Sequence, residues 1–137
     1  MIQFFIPGEP PTATAQQKGY NRRTKKYYKP AELRDAEQKY MAYANEVRPA
    51  KPLEGAIDLS VIFGFRVRGD HVAGEPKTSK PDTDNMVKAL KDCLTRCRFW
   101  NDDAQVAAER SVKFWTDETP GILVVVRTWD ELPEDAT

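Results

Sequence analysis

The alternation of hydrophobic and polar residues along the chain predicts the order of its helices and strands. Apolar residues at every second position, or in short unbroken runs, are typical of strands, whereas apolar residues three or four apart are typical of helices. Over the 137 residues, the pattern predicts four strands, two amphipathic helices and a small tyrosine-flanked flap. In chain order these segments are residues 2–6 (strand), 20–28 (flap), 31–46 (helix), 55–67 (strand), 84–96 (helix), 105–115 (strand) and 122–129 (strand).

This order, β-flap-α-β-α-β-β, is typical of an α/β (α+β) fold, a single small domain with a mixed β-sheet and two main helices. We expect one domain over residues 1–137, with an acidic tail that frays from about residue 130. The last strand, ILVVVRTW, is apolar enough to lie in the centre of the sheet. Residues 68–81 contain glycine, proline and charged residues without periodicity, which predicts a mobile loop.

The composition does not indicate a membrane protein or a zinc protein. The sequence lacks an apolar run of about 18 residues, and its first residues, MIQFFIPGEPP, lack the features of a signal peptide. We therefore expect a cytoplasmic protein with no membrane partner. Cys93, Cys97 and the lone His71 are too few for a zinc site, so we expect both cysteines to be reduced thiols near the inner face of the second helix.

Charge is balanced overall but unevenly distributed. The chain has 21 basic and 21 acidic residues, yet residues 1–52 contain ten basic and five acidic residues, and residues 101–137 contain three basic and nine acidic ones. A net charge of zero argues against a broad nucleic-acid-binding surface but allows a local basic arm that contacts phosphates. The candidate arm is the flap, YNRRTKKYY, with Arg22, Arg23, Lys25 and Lys26. A solvated turn is the alternative.

The stretch PDTDNMVKALKD places Asp82 and Asp84 at the start of the second helix, with Lys88 four residues after Asp84. Structural roles are available for each residue. One aspartate suits the N-cap, and acids near a helix N-terminus are stabilised by the helix dipole. An Asp-to-Lys spacing of four residues also allows a weak ion pair on the helix surface.

A second acidic pair, Asp102 and Asp103 in NDDAQ, follows the aromatic residues Phe99 and Trp100. A turn accommodates such residues well. However, several carboxylates at the ends of elements are also typical of a site for Mg²⁺, which prefers oxygen ligands and commonly binds substrate phosphate as well. With a lysine nearby to stabilise phosphate charge, the combination indicates metal-assisted phosphoryl chemistry.

The two acidic pairs are separated by the second helix, which is about 18 Å long at 1.5 Å per residue. Two arrangements would bring Asp103 to Asp84. The acids of one subunit could meet those of another across a two-fold axis, or the connecting loop could fold back along the helix. The residues themselves do not decide between the two.

The segment KPDTDNMVKALKDCLTRCRFWNDDAQV, residues 80–106, resembles the signature of the RusA-type Holliday junction resolvases. That signature combines Asp-x-Asp-Asn, a lysine three residues after the Asn, an Asp-Ala-Leu-Thr-like helix end, an aromatic pair and Asp-Asp-x-Gln-Val/Ile. The resemblance implies a homodimeric, Mg²⁺-dependent endonuclease of bacteria, with relatives common in phages and prophages. Such enzymes nick two opposing strands of a four-way DNA junction during recombination and repair, and their active site depends on dimer formation.

The resemblance also implies residue roles. Asp82, Asp84 and Asp103 match the metal-binding acids of the family, and Lys88 matches its essential lysine, so these four residues are the expected catalytic set. Asp102 matches a neighbouring acid whose role is less defined. One departure concerns DNA selectivity: many relatives follow the first strand with a Lys-Gly-Arg-Pro-Arg-like segment, which is replaced here by TATAQQKG.

We therefore expect a structure-specific DNA endonuclease that hydrolyses phosphodiesters. The predicted DNA contacts are Arg22, Arg23, Lys25, Lys26, Lys77 and Lys80. Two alternatives stay open: a branched-DNA-binding protein without catalytic activity, and a metal-dependent phosphohydrolase that acts on nucleotides. The sequence also leaves open whether Mn²⁺ replaces Mg²⁺.

Overall fold

The structure is a computed structural model that describes residues 1–12, 19–28 and 31–133. Its elements follow the predicted order, and their bounds differ from the predicted ones by only one or two residues. They are β1 (Ile2–Pro7), β2 (Gly19–Asn21), β3 (Lys26–Tyr28), α1 (Ala31–Val47), β4 (Ile57–Arg66), α2 (Thr83–Arg96), β5 (Val106–Thr116) and β6 (Gly121–Thr128).

Four strands form one mixed sheet in the order β1-β6-β4-β5. β6 pairs antiparallel with both β1 and β4, and β4 pairs parallel with β5. A parallel pair needs a long crossover connection, and α2 lies within the connection from β4 to β5. Because β6 has a paired strand on each side, it is a central strand, as its apolar sequence predicted. Val124 and Val126 within it are fully buried.

The flap is a two-stranded antiparallel hairpin formed by β2 and β3. Tyr20 lies opposite Tyr27 in the register, and the four residues between the strands form the turn. Lys25 closes this turn with a φ angle of 54°. The prediction of a small flap flanked by tyrosines is therefore confirmed, and the flap is a hairpin with a basic turn.

The two helices pack against each other over one face of the sheet, and the core lies between helices and strands. α2 contributes a buried stripe of Val87, Leu90 and Leu94, which recur at helical spacing. Met86 and Cys93 also lie in the core, with exposures of 5% and 0%. Both cysteines are free thiols and buried.

β5 runs back along α2 in the opposite direction. Near the C-terminal end of α2, the Trp100 indole donates a hydrogen bond to Thr95 Oγ1 at 2.8 Å. Further back, Lys91 Nζ lies 3.0 Å from a carboxylate oxygen of Glu109. At the N-terminal end of α2, Lys113 Nζ donates to the Pro81 carbonyl at 2.8 Å. The start of β5 therefore lies at the end of α2, and the end of β5 lies beside the start of α2.

The loop predicted to be mobile is tied to β5 in its second half. The Gly74 N–H donates to the Trp115 carbonyl at 2.8 Å, and the Trp115 N–H donates to the Glu75 carbonyl at 2.9 Å. The Lys77 N–H donates to the Lys113 carbonyl at 3.1 Å. The prediction of mobility is wrong for this half, because its backbone hydrogen-bonds along the outer edge of the sheet.

The predicted frayed tail is also partly ordered. Trp129–Glu131 forms one turn of 3₁₀ helix, and the Glu131 carboxylate pairs with the amino group of Met1. Residues 134–137 of the tail lie outside the described residues.

Within the described ranges, no helix combines the length and the apolar character needed to cross a lipid bilayer.

Candidate active site

Asp82 occupies the N-cap position of α2, but its carboxylate does not cap the helix. Its backbone is extended, with φ −76° and ψ 141°, and its side chain makes no capping hydrogen bond. Its carbonyl accepts the Met86 N–H at 3.2 Å. The side chain is exposed, so the N-cap position accounts for the backbone of Asp82 and leaves its carboxylate without a hydrogen-bond partner among the described residues.

Asp84 and Lys88 do not form the ion pair that their spacing allows. Both side chains are exposed, and among the described residues neither forms an ion pair within 4.0 Å or a side-chain hydrogen bond. The two residues lie one helical turn apart on the face of α2 that also carries Lys91. An aspartate pair and a lysine are thus presented to solvent without the contacts that would stabilise the helix.

The second acidic pair behaves differently. Asp102 caps the short 3₁₀ turn Asp103–Gln105, since its carboxylate accepts the Ala104 N–H at 2.8 Å. Asp103 is exposed, and its side chain has no hydrogen-bond or ion-pair partner among the described residues. Asp102 therefore has a structural role, whereas the carboxylate of Asp103 is free to bind a ligand.

Gln105 fixes this turn to the body of the domain, a role that the sequence reasoning missed. Its Oε1 accepts the N–H groups of Asn101 and Asp102 at 2.9 and 3.1 Å. Its Nε2 donates to the carbonyls of Leu53 and Gly55, each at 3.0 Å. The signal was present in the sequence, because Asp followed three residues later by Gln is a capping-box pattern.

The structure does not bring the two acidic pairs together within one chain. Asp82 and Asp84 lie at the N-terminal end of α2, and Asp103 directly precedes β5 at the other end of the helix. In the part of the chain that the structure describes, no three His, Cys, Asp or Glu residues converge where they could hold a metal ion. The loop that follows α2 stays at the C-terminal end of the helix, where the Phe99 N–H donates to the Leu94 carbonyl at 3.1 Å.

Lys77, predicted to contact DNA, is instead packed inside the protein. Its exposure is 9%, and its ammonium lies 5.1 Å from the ring centre of Phe65 and 4.6 Å from that of Trp115. Burial lowers the pKa of Lys77, and the nearby positive charge of Lys113 acts in the same direction. We therefore remove Lys77 from the expected DNA contacts, because a cation held between two rings is not presented to a phosphate.

The family model described as "Endodeoxyribonuclease RusA" matches residues 7–127. The chain belongs to the RusA endodeoxyribonuclease family. This membership identifies it as a nuclease, as the resemblance of residues 80–106 implied.

Similar proteins occur in bacteria and in their phages. "Uncharacterized protein YqaN" of Bacillus subtilis (strain 168) is 30% identical over 139 residues, which cover 92% of this chain and 95% of the relative. "Crossover junction endodeoxyribonuclease rusA" of Enterobacteria phage 82 is 36% identical over 74 residues, covering 53% of this chain and 58% of the relative.

"Crossover junction endodeoxyribonuclease RusA" of Escherichia coli (strain K12) is 38% identical over 58 residues. The match covers 42% of this chain and 46% of that relative. The alignments with these two named junction endonucleases thus span about half of their length.

The donor set of this RusA-family chain fits a hard divalent cation. Mg²⁺ is usually held by one or two carboxylates together with waters and substrate phosphate. Asp82 and Asp84 supply two exposed carboxylates, two residues apart and without competing partners in residues 1–12, 19–28 and 31–133. Asp103 is a further free carboxylate of the same kind, but it lies too far away to join them in one chain.

The basic side chains of the hairpin turn lie on the surface of the RusA-family domain. Arg22, Arg23, Lys25 and Lys26 are all exposed. Lys80 is exposed as well, and it lies two residues before Asp82. These five residues stay predicted DNA contacts.

Proposed function

We propose that this RusA-family protein is a Mg²⁺-dependent endonuclease that resolves four-way DNA junctions by paired phosphodiester hydrolysis. The single observation that carries the proposal is the free state of the motif residues at the start of α2. Asp82, Asp84 and Lys88 are exposed and take part in neither the cap nor the helix-surface pair that could explain them. Side chains left without structural partners at a helix end are available for cation and phosphate.

The motif residues have distinct roles in this proposal. Asp82 and Asp84 would hold the cation through their carboxylate oxygens. A divalent cation, when bound, lowers the pKa of bound water and offsets the charge of the scissile phosphate. Lys88, one turn further along α2, places a positive charge on the same face and stabilises the negative charge that develops on the phosphate. The same donor set accepts Mn²⁺, since that ion also takes oxygen ligands.

A homodimer would supply the missing acid. β5 lies at the edge of the sheet, and the backbone hydrogen bonds from residues 74–77 reach only its second half. Its first half therefore has an open outer edge among the described residues, next to Asp103. A two-fold axis near the middle of α2 would place the start of β5 in one protomer beside the N-terminus of α2 in the other. Asp103 of each protomer would then complete the acidic site of its partner.

Mixing two inactive variants tests the shared site. Asp84→Asn and Asp103→Asn each damage both sites of a homodimer. In a mixed dimer, however, one site contains both substituted residues and the other site contains neither, so the second site is intact. After subunit exchange, half of the dimers are mixed and each has one intact site, so we expect nicking from about a quarter of the sites. If mixing restores no nicking while exchange is confirmed by mass spectrometry, each site is built within one subunit.

Junction binding in this proposal relies on the basic hairpin turn and Lys80. The turn presents four positive side chains to solvent, and such a cluster can follow a phosphate backbone. Two equivalent sites related by a two-fold axis suit a substrate with two equivalent strands. Paired cleavage then follows from the symmetry of the dimer.

The deciding experiment uses a synthetic four-way junction with labelled strands, in Mg²⁺ and separately in Mn²⁺. Wild type should cut two opposing strands, and Asp84→Asn should bind the junction without cutting it. Asp35→Asn is the control, because Asp35 is exposed on α1 and lies outside residues 80–106, and it should cut like wild type. Junction binding without cleavage by wild type would indicate a non-catalytic binding protein. Hydrolysis of nucleotides without junction cleavage would indicate a phosphohydrolase.

A further inference from the structure

Lys113 links β5 to the segment directly before Asp82. Its Nζ donates hydrogen bonds to the carbonyls of Ser79 and Pro81, at 2.7 and 2.8 Å. Both distances are at the short end for N–H···O bonds, as expected when the donor carries a charge. The side chain is half-buried and lies on the helix-covered face of the sheet, in register with Phe63.

These bonds hold a helix start that has no cap of its own. The Pro81 carbonyl belongs to the peptide group that joins Pro81 to Asp82, so fixing it restricts the backbone that carries the first acid. Asp82 makes no side-chain capping bond. The Asp82 backbone is therefore held by the bond from the Met86 N–H within α2 and by the contacts of the segment before it.

Lys77 holds the same segment through Ser79. Its ammonium donates to Ser79 Oγ at 2.6 Å, while its own N–H donates to the Lys113 carbonyl at 3.1 Å. The two lysines and Ser79 thus form a closed set of contacts that connects the loop, β5 and the start of α2. The buried position of Lys77 makes this set part of the framework of the domain.

We propose that Lys113 is a positioning residue for the acidic pair, holding Asp82 where it and Asp84 can bind one cation. This rests on the proposed function, which assigns the cation to these two acids. Lys113 is not the reacting group, because two of its three N–H donors are used by backbone carbonyls. It also forms no ion pair within 4.0 Å with Asp82 or Asp84 among the described residues, so both carboxylates stay free.

The test replaces Lys113 with Met, which keeps most of the apolar stem and removes the ammonium. Lys91→Met is the matched control, because Lys91 also joins α2 to β5 but does so through Glu109, about two turns from Asp84. Mn²⁺ binding is measured by calorimetry without DNA, and exchange of the Met86 amide, which donates to the Asp82 carbonyl, is measured without metal.

We expect Lys113→Met to weaken Mn²⁺ binding about tenfold, the usual size of losses from residues that orient metal ligands. The Met86 amide should exchange faster in the same variant. Lys91→Met should match wild type in both measurements, and Lys113→Arg should recover part of the affinity because it can still donate to the two carbonyls.

Wild-type Mn²⁺ affinity together with wild-type Met86 exchange in Lys113→Met would overturn the positioning role alone. If Lys113→Met does not fold, Lys113→Arg and Lys113→Gln are compared instead. Failure of both to fold would assign Lys113 to the stability of the whole domain and overturn the inference. A folded wild-type protein that binds no Mn²⁺ would overturn the proposed metal site and this inference together.

Discussion

Asp102 and Gln105 cap the same turn from its two sides. The Asp102 carboxylate accepts the Ala104 N–H at 2.8 Å, and the Gln105 side chain accepts the Asp102 N–H at 3.1 Å. Gln105 also donates to the carbonyls of Leu53 and Gly55. This reciprocal arrangement fixes the loop between α2 and β5 and therefore the backbone position of Asp103.

Replacing Gln105 with Leu should destabilise the domain and reduce cleavage together. The variant loses the hydrogen bonds to four backbone groups, and we expect the free energy of unfolding to fall by about 1–3 kcal/mol. Cleavage should fall further than stability alone explains, since Asp103 loses its fixed backbone. Urea unfolding and junction cleavage measure the two effects.

Gln38→Leu on the exposed face of α1 is the control and should change stability by less than about 0.5 kcal/mol. Full stability in Gln105→Leu would contradict the anchoring role.

Substitutions at Asp102 and Asp103 should separate stability from chemistry. Asp102→Ala removes a side-chain cap, and we expect a loss of about 0.5–2 kcal/mol in unfolding free energy. Asp102→Asn should retain most of that stability, because Asn also caps well. Asp103→Asn should unfold like wild type yet lose junction cleavage. Thermal unfolding and a cleavage assay on the same preparations provide the comparison. An Asp102→Asn protein with full stability and no cleavage would show that Asp102 is itself a cation ligand.

The pattern of α2 shows which parts of the fold the sequence could predict. Val87, Leu90 and Leu94 recur at helical spacing, and burial of one helix face follows directly from that spacing. The local order of elements could be predicted for the same reason, because each strand and helix has its own period. The central place of β6 followed from its unbroken apolar sequence.

The parts that could not be predicted depend on contacts between distant residues. Lys77 lies in a charged loop segment, and its burial requires Phe65 and Trp115, whose rings meet it only after folding. The Lys113 contact with Pro81 likewise joins residues 32 positions apart. Local periodicity contains no information on such pairs. The separation of Asp82 from Asp103 could be foreseen, because helix length sets it, but the path of the loop after α2 could not.

The hairpin turn should account for part of the salt dependence of junction binding. Each phosphate contact contributes to the slope of log affinity against log salt concentration, so Arg22→Ala with Lys25→Ala should lower the slope by about two and weaken binding at low salt. Fluorescence anisotropy over a series of salt concentrations measures this. Arg127→Ala, in β6 on the sheet face opposite the helices, is the control and should leave the slope unchanged. An unchanged slope in the double variant would mean that the turn is only solvated.

The buried thiol of Cys93 should make the domain less stable in alkaline solution. Burial raises its pKa to about 12, and the carboxylate of Glu37 acts in the same direction. The unfolded chain loses this proton near the ordinary value of 9.0, whereas the folded protein keeps it. Stability from the neutral thiol is therefore complete below pH 9 and is lost as the pH rises from 9 toward 12.

Replacing Cys93 with Ala should consequently make unfolding free energy less dependent on pH between 9 and 12, as measured by urea unfolding at several pH values. Some dependence should persist, since burial also raises the pKa of Tyr40. Val87→Ala is the matched control, because it removes a buried apolar side chain from the same helix without removing an ionisable group. It should lower stability equally at each pH, whereas Cys93→Ala should lower it more at pH 8 than at pH 11. An equal alkaline slope in Cys93→Ala and wild type would mean that the thiol ionises in the folded protein, and the Cys93 pKa would then not be raised by burial.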